Sequence, residues 1–266
     1  MTVSRLAVVG GGKMGAALVA GLLSAGWARP EELLVVEPVA SRRDELVATH
    51  PSLQVAAEPA PGAEGAVVAV KPGDVEAACR ALAAAGVDRV LSIAAGVTLG
   101  RLESWLNAGA AVVRAMPNTP ALVGCGAAAI AGGAGASEGD LAWAEEILSA
   151  VGKVERVGEP LLDAVTGLSG SGPAYVFLVA EALVEAGVAV GLPRAVSETL
   201  TIQTLLGSAR LLAESGERAE ALRAAVTSPG GTTAAGLAAL ESRAVRAAFM
   251  DAVVAATQRS KELGQA

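Results

Sequence analysis

Leu6-Ala-Val-Val-Gly10-Gly11-Gly12-Lys13-Met14-Gly15 is an apolar run that breaks into glycines and then resumes with helical spacing. Read physically, a buried parallel strand ends at Val9 and Gly10 makes a tight turn. Gly12 lets the backbone close on a pyrophosphate, and Gly15 allows helix and strand to pack. The phosphates then rest on the N-terminus of the helix that carries Leu18, Val19, Leu22 and Leu23. In a chain with 32 glycines the spacing alone arises by chance. Its context is more demanding: a strand-like run precedes it, a helix follows, and about 20 residues on a second strand, Leu33-Leu-Val-Val-Glu37, ends in an acid. Glu37 is placed to hydrogen-bond adenosine ribose hydroxyls and repel a 2'-phosphate, favouring NAD. Ser41, Arg42 and Arg43 follow at once, and they suit a 2'-phosphate clamp as well as a solvated helix face. The choice between NADH and NADPH stays open at this level.

The alternation continues outward from that unit. A short strand falls near Leu53-Val55, and a buried strand, Ala66-Val-Val-Ala-Val70, runs into Lys71-Pro72-Gly73-Asp74. A helix spans about Val75 to Ala85. A strand, Arg89-Val-Leu-Ser-Ile93, leads into Ala94-Ala95-Gly96-Val97, and a helix from Leu99 to Leu106 leads to Ala111-Val-Val-Arg114. Strands alternating with helices of this length imply βαβ units in a mostly parallel sheet with right-handed crossovers. Ligands bind such sheets outside the carboxyl ends of the strands, where Gly10-Gly15, Val70-Lys71-Pro72, Ile93-Ala94-Ala95-Gly96 and Met116-Pro117-Asn118 all fall. A late strand at Ala127-Ile130, a helix from Ser137 to Val151 with Ser137 as N-cap and Asp140 at N3, and an edge strand at Lys153-Val157 complete this half. The domain boundary is expected at Glu159-Pro160, giving a nucleotide-binding domain over 1–159 and an all-α domain over 160–266.

Composition narrows the function classes. The chain is 53% hydrophobic but only 2% aromatic, with a mean hydropathy of +0.52. The most apolar segment, Ala174 to Leu192, carries Glu181 and Glu185, whose charges are costly at a bilayer's centre, so no membrane helix is expected. Surplus apolar surface on helices rich in small residues fits an oligomer interface. The net charge of −7 argues against a nucleic-acid partner, which wants a basic face. No charged segment followed by an apolar stretch precedes the first strand, so a cytoplasmic protein is expected. Cys79 and Cys125 read as two buried thiols, and His50, the single histidine, reads as a helix-end residue; no metal site is expected.

From Leu161 the strands stop. Pro173 and Pro193 each open a long helix, and helices are expected around Glu217-Ala225, Thr232-Leu240 and Ser242-Leu263. Val245, Phe249, Ala252 and Ala256 form a packing stripe on the last. These stripes outnumber the helices available to enclose them, so a second subunit is expected to cover them. Two stretches do not read as packing. Thr166-Gly-Leu-Ser169-Gly-Ser-Gly-Pro-Ala-Tyr175 and Val226-Thr-Ser228-Pro229-Gly230-Gly231-Thr232-Thr233 each set hydroxyls and glycines before a helix N-terminus. Each serves as a capped turn or as a nest of N–H donors for a carboxylate. Together with a dinucleotide crevice they suggest a small carboxylate substrate. The lack of a nucleophile arrangement fits hydride transfer to an already polarised acceptor, which needs positioning more than a strong acid.

With those motifs assembled, the chain resembles the pyrroline-5-carboxylate reductase family over almost its whole length. The matching segments are Gly10-Gly15, Val70-Pro72, Ser92-Val97, Arg114-Ala-Met-Pro-Asn-Thr-Pro120, Thr166-Tyr175 and Ser228-Thr233. The resemblance implies an N-terminal Rossmann domain, a C-terminal helical domain that dimerises, and assembly that extends in some members to a decamer. It implies NADPH or NADH as cofactor, contacted by Gly10, Gly12, Lys13, Met14 and Glu37, with Val70, Lys71, Pro72, Ile93, Ala94, Ala95 and Asn118 lining ribose and nicotinamide. Ser228, Gly230, Gly231, Thr232 and Thr233 fall on the family's substrate loop, with Glu159 aligned more loosely. Thr233 is expected to hydrogen-bond the ring nitrogen, and Thr166 to support the site. Glu37-Pro38 departs from the pattern common in members that prefer NADPH.

The implied reaction is hydride transfer to (S)-1-pyrroline-5-carboxylate, giving L-proline. A β-hydroxyacid-dehydrogenase-like oxidoreductase is the same-class alternative, but it wants a lysine base, and no lysine lies between Leu161 and Gln258. A non-catalytic dinucleotide-sensing oligomer is the other alternative, and the hydroxyl-rich loop speaks against it.

Overall fold

The computed structural model describes residues 4–265. Contacts divide the chain into two compact units, one running through Ser171 and resuming from Ala255, the other spanning Gly172–Val254.

The first unit is built on an eight-stranded sheet in the order β3-β2-β1-β4-β5-β6-β7-β8. The strands are β1 (Leu6–Val9), β2 (Leu33–Val36), β3 (Gln54–Ala56), β4 (Ala66–Val68), β5 (Arg89–Ser92), β6 (Ala111–Met116), β7 (Gly126–Gly132) and β8 (Gly152–Arg156). β1 pairs in parallel with β2 on one side and β4 on the other, so the strand order reverses at β1. That reversal opens the crevice in which an α/β sheet takes its ligand. The one antiparallel pair joins β6 to β7, with Met116 opposite Ala129. The link between them, Pro117–Cys125, is shorter than the dozen or so residues that a parallel crossover needs.

Alternation along the central strands assigns each residue a face. Leu6, Val8, Leu33 and Val35 pack with Leu18 and Leu22 of α1 (Lys13–Ser24) and with Trp143 and Ile147 of α5 (Glu138–Ser149). Ala7, Val9, Leu34 and Val36 pack on the other face with Val75 and Leu82 of α3 (Val75–Ala84) and Leu102 of α4 (Leu99–Trp105). The helix α2 (Ala40–Thr49) contributes Leu46 to the first face and ends at His50, whose N–H caps the Leu46 carbonyl. The expected start of α5 is observed, with the Asp140 carboxylate accepting both the N–H and the hydroxyl of Ser137. Cys79 is fully buried, and burial pushes its thiol up to about 11. Cys125 is exposed, which corrects the expectation of two buried thiols: it follows the left-handed Gly124 at the end of a surface turn and precedes β7.

The second unit is helical. It contains α7 (Gly172–Ala189), α8 (Arg194–Glu214), α9 (Ala219–Ala225), α10 (Thr232–Ser242) and the first part of α11 (Val245–Gln265). α7 and α8 pack against each other across a short link, and the Ser197 hydroxyl donates to the Val184 carbonyl at 2.9 Å. Large apolar side chains stay exposed in the single chain, among them Phe177, Leu178, Leu200, Ile202 and Leu206. The helical run Glu159–Ala189 is long and apolar enough by composition to cross a membrane, with a mean hydropathy of 1.4, yet α7 carries Glu181 and Glu185 within it.

Candidate functional site

At two positions the mouth of the crevice is glycine because nothing else fits. Gly10 turns at φ +109°, and a Cβ there would stand 2.7 Å from the Ala69 carbonyl oxygen. A Cβ at Gly15 would overlap the Gly10 carbonyl oxygen, so the loop and α1 touch backbone to backbone. Gly12 differs: a Cβ there would meet nothing within 4 Å. Its bareness leaves open space at the N-terminus of α1, where Gly12 is the N-cap and no side chain satisfies the first turn. Free N–H groups, a positive helix end and an unobstructed approach together suit a pyrophosphate.

Around that opening the structure brings Val70, Lys71, Pro72, Ile93, Ala94 and Ala95 to the carboxyl ends of β4 and β5. Lys71 and Pro72 are exposed, while Ile93 and Ala94 are buried. A cavity of about 400 Å³ in the same unit is lined by Pro72, Ala95 and Thr166. It is also lined by Gly96, Val97, Arg101, Ser171, Ala256, Arg259, Ser260 and Leu263, of which the sequence reading placed only Gly96, Val97 and Ser171 in candidate site motifs and Ala256 in a packing stripe. The last four of these lining residues come from α11, whose end returns to the sheet unit and is anchored where the Ser260 hydroxyl donates to Asp163 at 2.7 Å. No local signal in the sequence announces that return.

Three expected site residues are held by protein groups. Glu37 is 4% exposed, and its two carboxylate oxygens accept the N–H groups of Gly11 at 3.1 Å and Val39 at 3.0 Å. Asn118 donates its amide to the Ser169 carbonyl at 3.1 Å and accepts the Ala127 N–H at 2.8 Å, tying the end of β6 to β7 and to the Thr166–Gly170 segment. Glu159 meets the buried Arg114 at 2.9 Å and accepts the Leu99 N–H at 2.7 Å, capping the first turn of α4. These side chains shape the site by holding its loops.

Thr166–Gly170 is a π-helical turn between α6 (Leu162–Val165) and α7, with the Ser171 N–H donating to the Thr166 carbonyl at 2.8 Å. This corrects the expectation of an anion nest before a helix N-terminus, since the chain is already helical there. Thr166 donates its hydroxyl to the Leu162 carbonyl at 2.8 Å and presents itself to the cavity as part of a π-turn, a distortion frequent at functional sites.

In the helical unit the second glycine stretch forms a turn that leads into a helix N-terminus. Gly230 turns at φ +70°, and the Gly231 N–H donates to the Ser228 carbonyl at 3.0 Å, so Gly231 is engaged in the turn. Gly231 is the N-cap of α10 and offers no side-chain cap. The N–H groups of Thr232 and Thr233, at the first turn of α10, have no intrahelical acceptor.

Two family models match the chain. One, for pyrroline-5-carboxylate reductase dimerisation, covers residues 159–263, and the other, for NADP oxidoreductase coenzyme F420-dependent, covers residues 5–96. A pyrroline-5-carboxylate reductase from Synechocystis sp. is 46% identical over 268 residues, covering 98% of both chains. The solved structure of a pyrroline-5-carboxylate reductase from Coxiella burnetii is 37% identical with a TM-score of 0.93, covering 98% of this chain and 99% of that one. The Plasmodium falciparum pyrroline carboxylate reductase structure, with NADP bound, is 31% identical with a TM-score of 0.84, covering 99% of each.

Proposed function

The chain belongs to the pyrroline-5-carboxylate reductase family, and from that premise we propose how its own residues divide the work. Its activity is the NAD(P)H-dependent reduction of the cyclic imine acid (S)-1-pyrroline-5-carboxylate to L-proline, a step of proline biosynthesis. The observation that supports the site assignment is a pair of helix N-termini, at Gly12 and Gly231, each capped by a glycine with no side-chain bond.

Gly10, Gly12, Lys13 and Met14 hold the pyrophosphate on α1. Val70, Lys71 and Pro72, with Ile93, Ala94 and Ala95, flank the ribose and nicotinamide. The N–H groups of Thr232 and Thr233 receive the substrate carboxylate, with Ser228, Gly230 and Gly231 shaping that loop. The iminium N–H of the ring donates to the Thr233 oxygen, which fixes the imine carbon. The bound nicotinamide supplies a hydride to that carbon. As the C=N electron pair falls back onto nitrogen its positive charge disappears, so a neutral hydroxyl suffices and no strong acid is needed. Thr166 and the framework contacts of Asn118 and Glu159 keep the cavity walls in place.

The same reading makes 1–159 the nucleotide domain and 160–266 the substrate and oligomer domain. The exposed apolar helices meet a second copy in a homodimer, which assembles further into a decamer. A bilayer and nucleic acid are not partners, and the cytoplasm is where the chain works. Thr233→Ala is expected to lower kcat/KM by about 10- to 100-fold, typical of one positioned hydrogen bond, with Thr233→Ser recovering most of it. Unchanged steady-state kinetics in Thr233→Ala would remove Thr233 from the mechanism.

A further inference from the structure

At the end of β2 the Glu37 carboxylate is buried, and its two oxygens take the backbone N–H groups of Gly11 and Val39. These are the backbone donors on either side of the place where a Rossmann sheet seats the adenosine ribose, given a pyrophosphate on α1. A 2'-phosphate there brings a charge of about −1.5 to −2 and wants such donors for itself. In this chain an internal anion already holds them. Nor is the nearest guanidinium directed outward. Arg43 donates from one Nη to the carbonyls of Glu37 at 2.9 Å and Pro38 at 2.8 Å, bracing the turn that carries the carboxylate. Arg42 lines a groove with Gly11, Gly12 and Lys13, the residues proposed to hold the pyrophosphate, and shares that groove with the acidic Glu45.

Resting on the dinucleotide site proposed above, we infer that Glu37 acts as a built-in stand-in for the 2'-phosphate and makes the chain select NADH over NADPH. It does so in two ways. Its negative charge repels the phosphate at short range, and its hydrogen bonds deny the phosphate the Gly11 and Val39 amides. The unphosphorylated ribose needs neither amide, because its hydroxyls are neutral and are solvated at the rim.

The test is equilibrium binding of NAD⁺ and NADP⁺ by titration calorimetry to the whole enzyme without imine substrate, so that affinity is read apart from turnover. The wild-type protein should bind NAD⁺ on the order of tenfold or more tighter, the scale of a like charge a few ångströms away at a surface dielectric. The preference should shrink when salt is raised, because screening relieves the repulsion between the 2'-phosphate and the Glu37 carboxylate. Glu37→Gln and Glu37→Ser, with folding checked by thermal denaturation, should narrow the ratio chiefly by tightening NADP⁺. Equal affinity in the wild type, a preference for NADP⁺, or an equal loss of both nucleotides in Glu37→Gln would overturn the selectivity. Failure of the wild type to bind either nucleotide would instead overturn the dinucleotide site on which it rests.

Discussion

Gly12→Ala and Gly15→Ala put the same methyl group three residues apart and should fail in opposite ways. At Gly12 a Cβ meets nothing within 4 Å, and the backbone sits at φ −70°, which alanine adopts freely. Alanine is a poorer N-cap than glycine by roughly 0.5 to 1 kcal/mol. It recovers about 0.4 to 1 kcal/mol by stiffening the unfolded chain. The two nearly cancel, so the melting temperature should stay within a few degrees. The methyl does, however, fill the space through which the pyrophosphate reaches the α1 amides, and NADH affinity should fall at least about tenfold, the loss of roughly 1.4 kcal/mol or more. At Gly15 the added Cβ overlaps the Gly10 carbonyl oxygen, and loop and helix must part by on the order of 1 Å to reach ordinary contact. Overpacking of that kind costs about 1 to 3 kcal/mol, more than the roughly 1 kcal/mol that alanine gains in a helix interior. With backbone on both sides of the clash the upper end applies, and at about 2–4 °C per kcal/mol the melting temperature should drop by several degrees. Thermal denaturation and calorimetric titration with NADH, run on both variants, measure the two effects. A Gly12→Ala protein that binds NADH as tightly as the wild type would show that the phosphates do not lie on α1.

Other perturbations test other contacts. Glu159→Ala leaves the nearly buried Arg114 guanidinium unpaired and removes the acceptor of the Leu99 N–H, so chemical denaturation should show a loss of about 3 kcal/mol, much of it recovered in the Arg114→Met/Glu159→Leu double variant. The Cys79 thiol is raised to about 11 by burial, so the fold favours its neutral form. That contribution is complete below pH 9, the thiol's ordinary range, and is lost as pH rises toward 11. The stability gap between wild type and Cys79→Ala in urea should therefore narrow by about 1 to 2 kcal/mol between pH 8 and pH 11, and a constant gap would contradict the assignment. Phe177→Glu, at a position 62% exposed in the single chain, should lower the mass measured by light scattering; an unchanged mass would mean that no second copy covers that face.

Much of the fold was legible because its signals are local. The apolar run ending at Gly10, the alternation of strands with helices and the Ser137–Asp140 cap each lie within a dozen residues, and the sheet follows from right-handed connection of such units. The glycine stretches at 10–15 and 228–233 declared themselves in the same way, as positions where backbone must turn or approach closely. What the sequence left undetermined is where long side chains point. Glu37 reads as a ribose ligand by spacing, yet only the folded turn shows its oxygens taken by Gly11 and Val39. Arg114 and Glu159 lie 45 residues apart in sequence, and Asp163 and Ser260 lie 97 apart, with no periodicity linking either pair. Their pairing follows from desolvation: a charge carried into the interior must find its partner wherever the chain has brought one. Thr166–Gly170 makes the same point for backbone, since its glycines suggest a break while packing winds it into a π-turn continuous with the helix that follows.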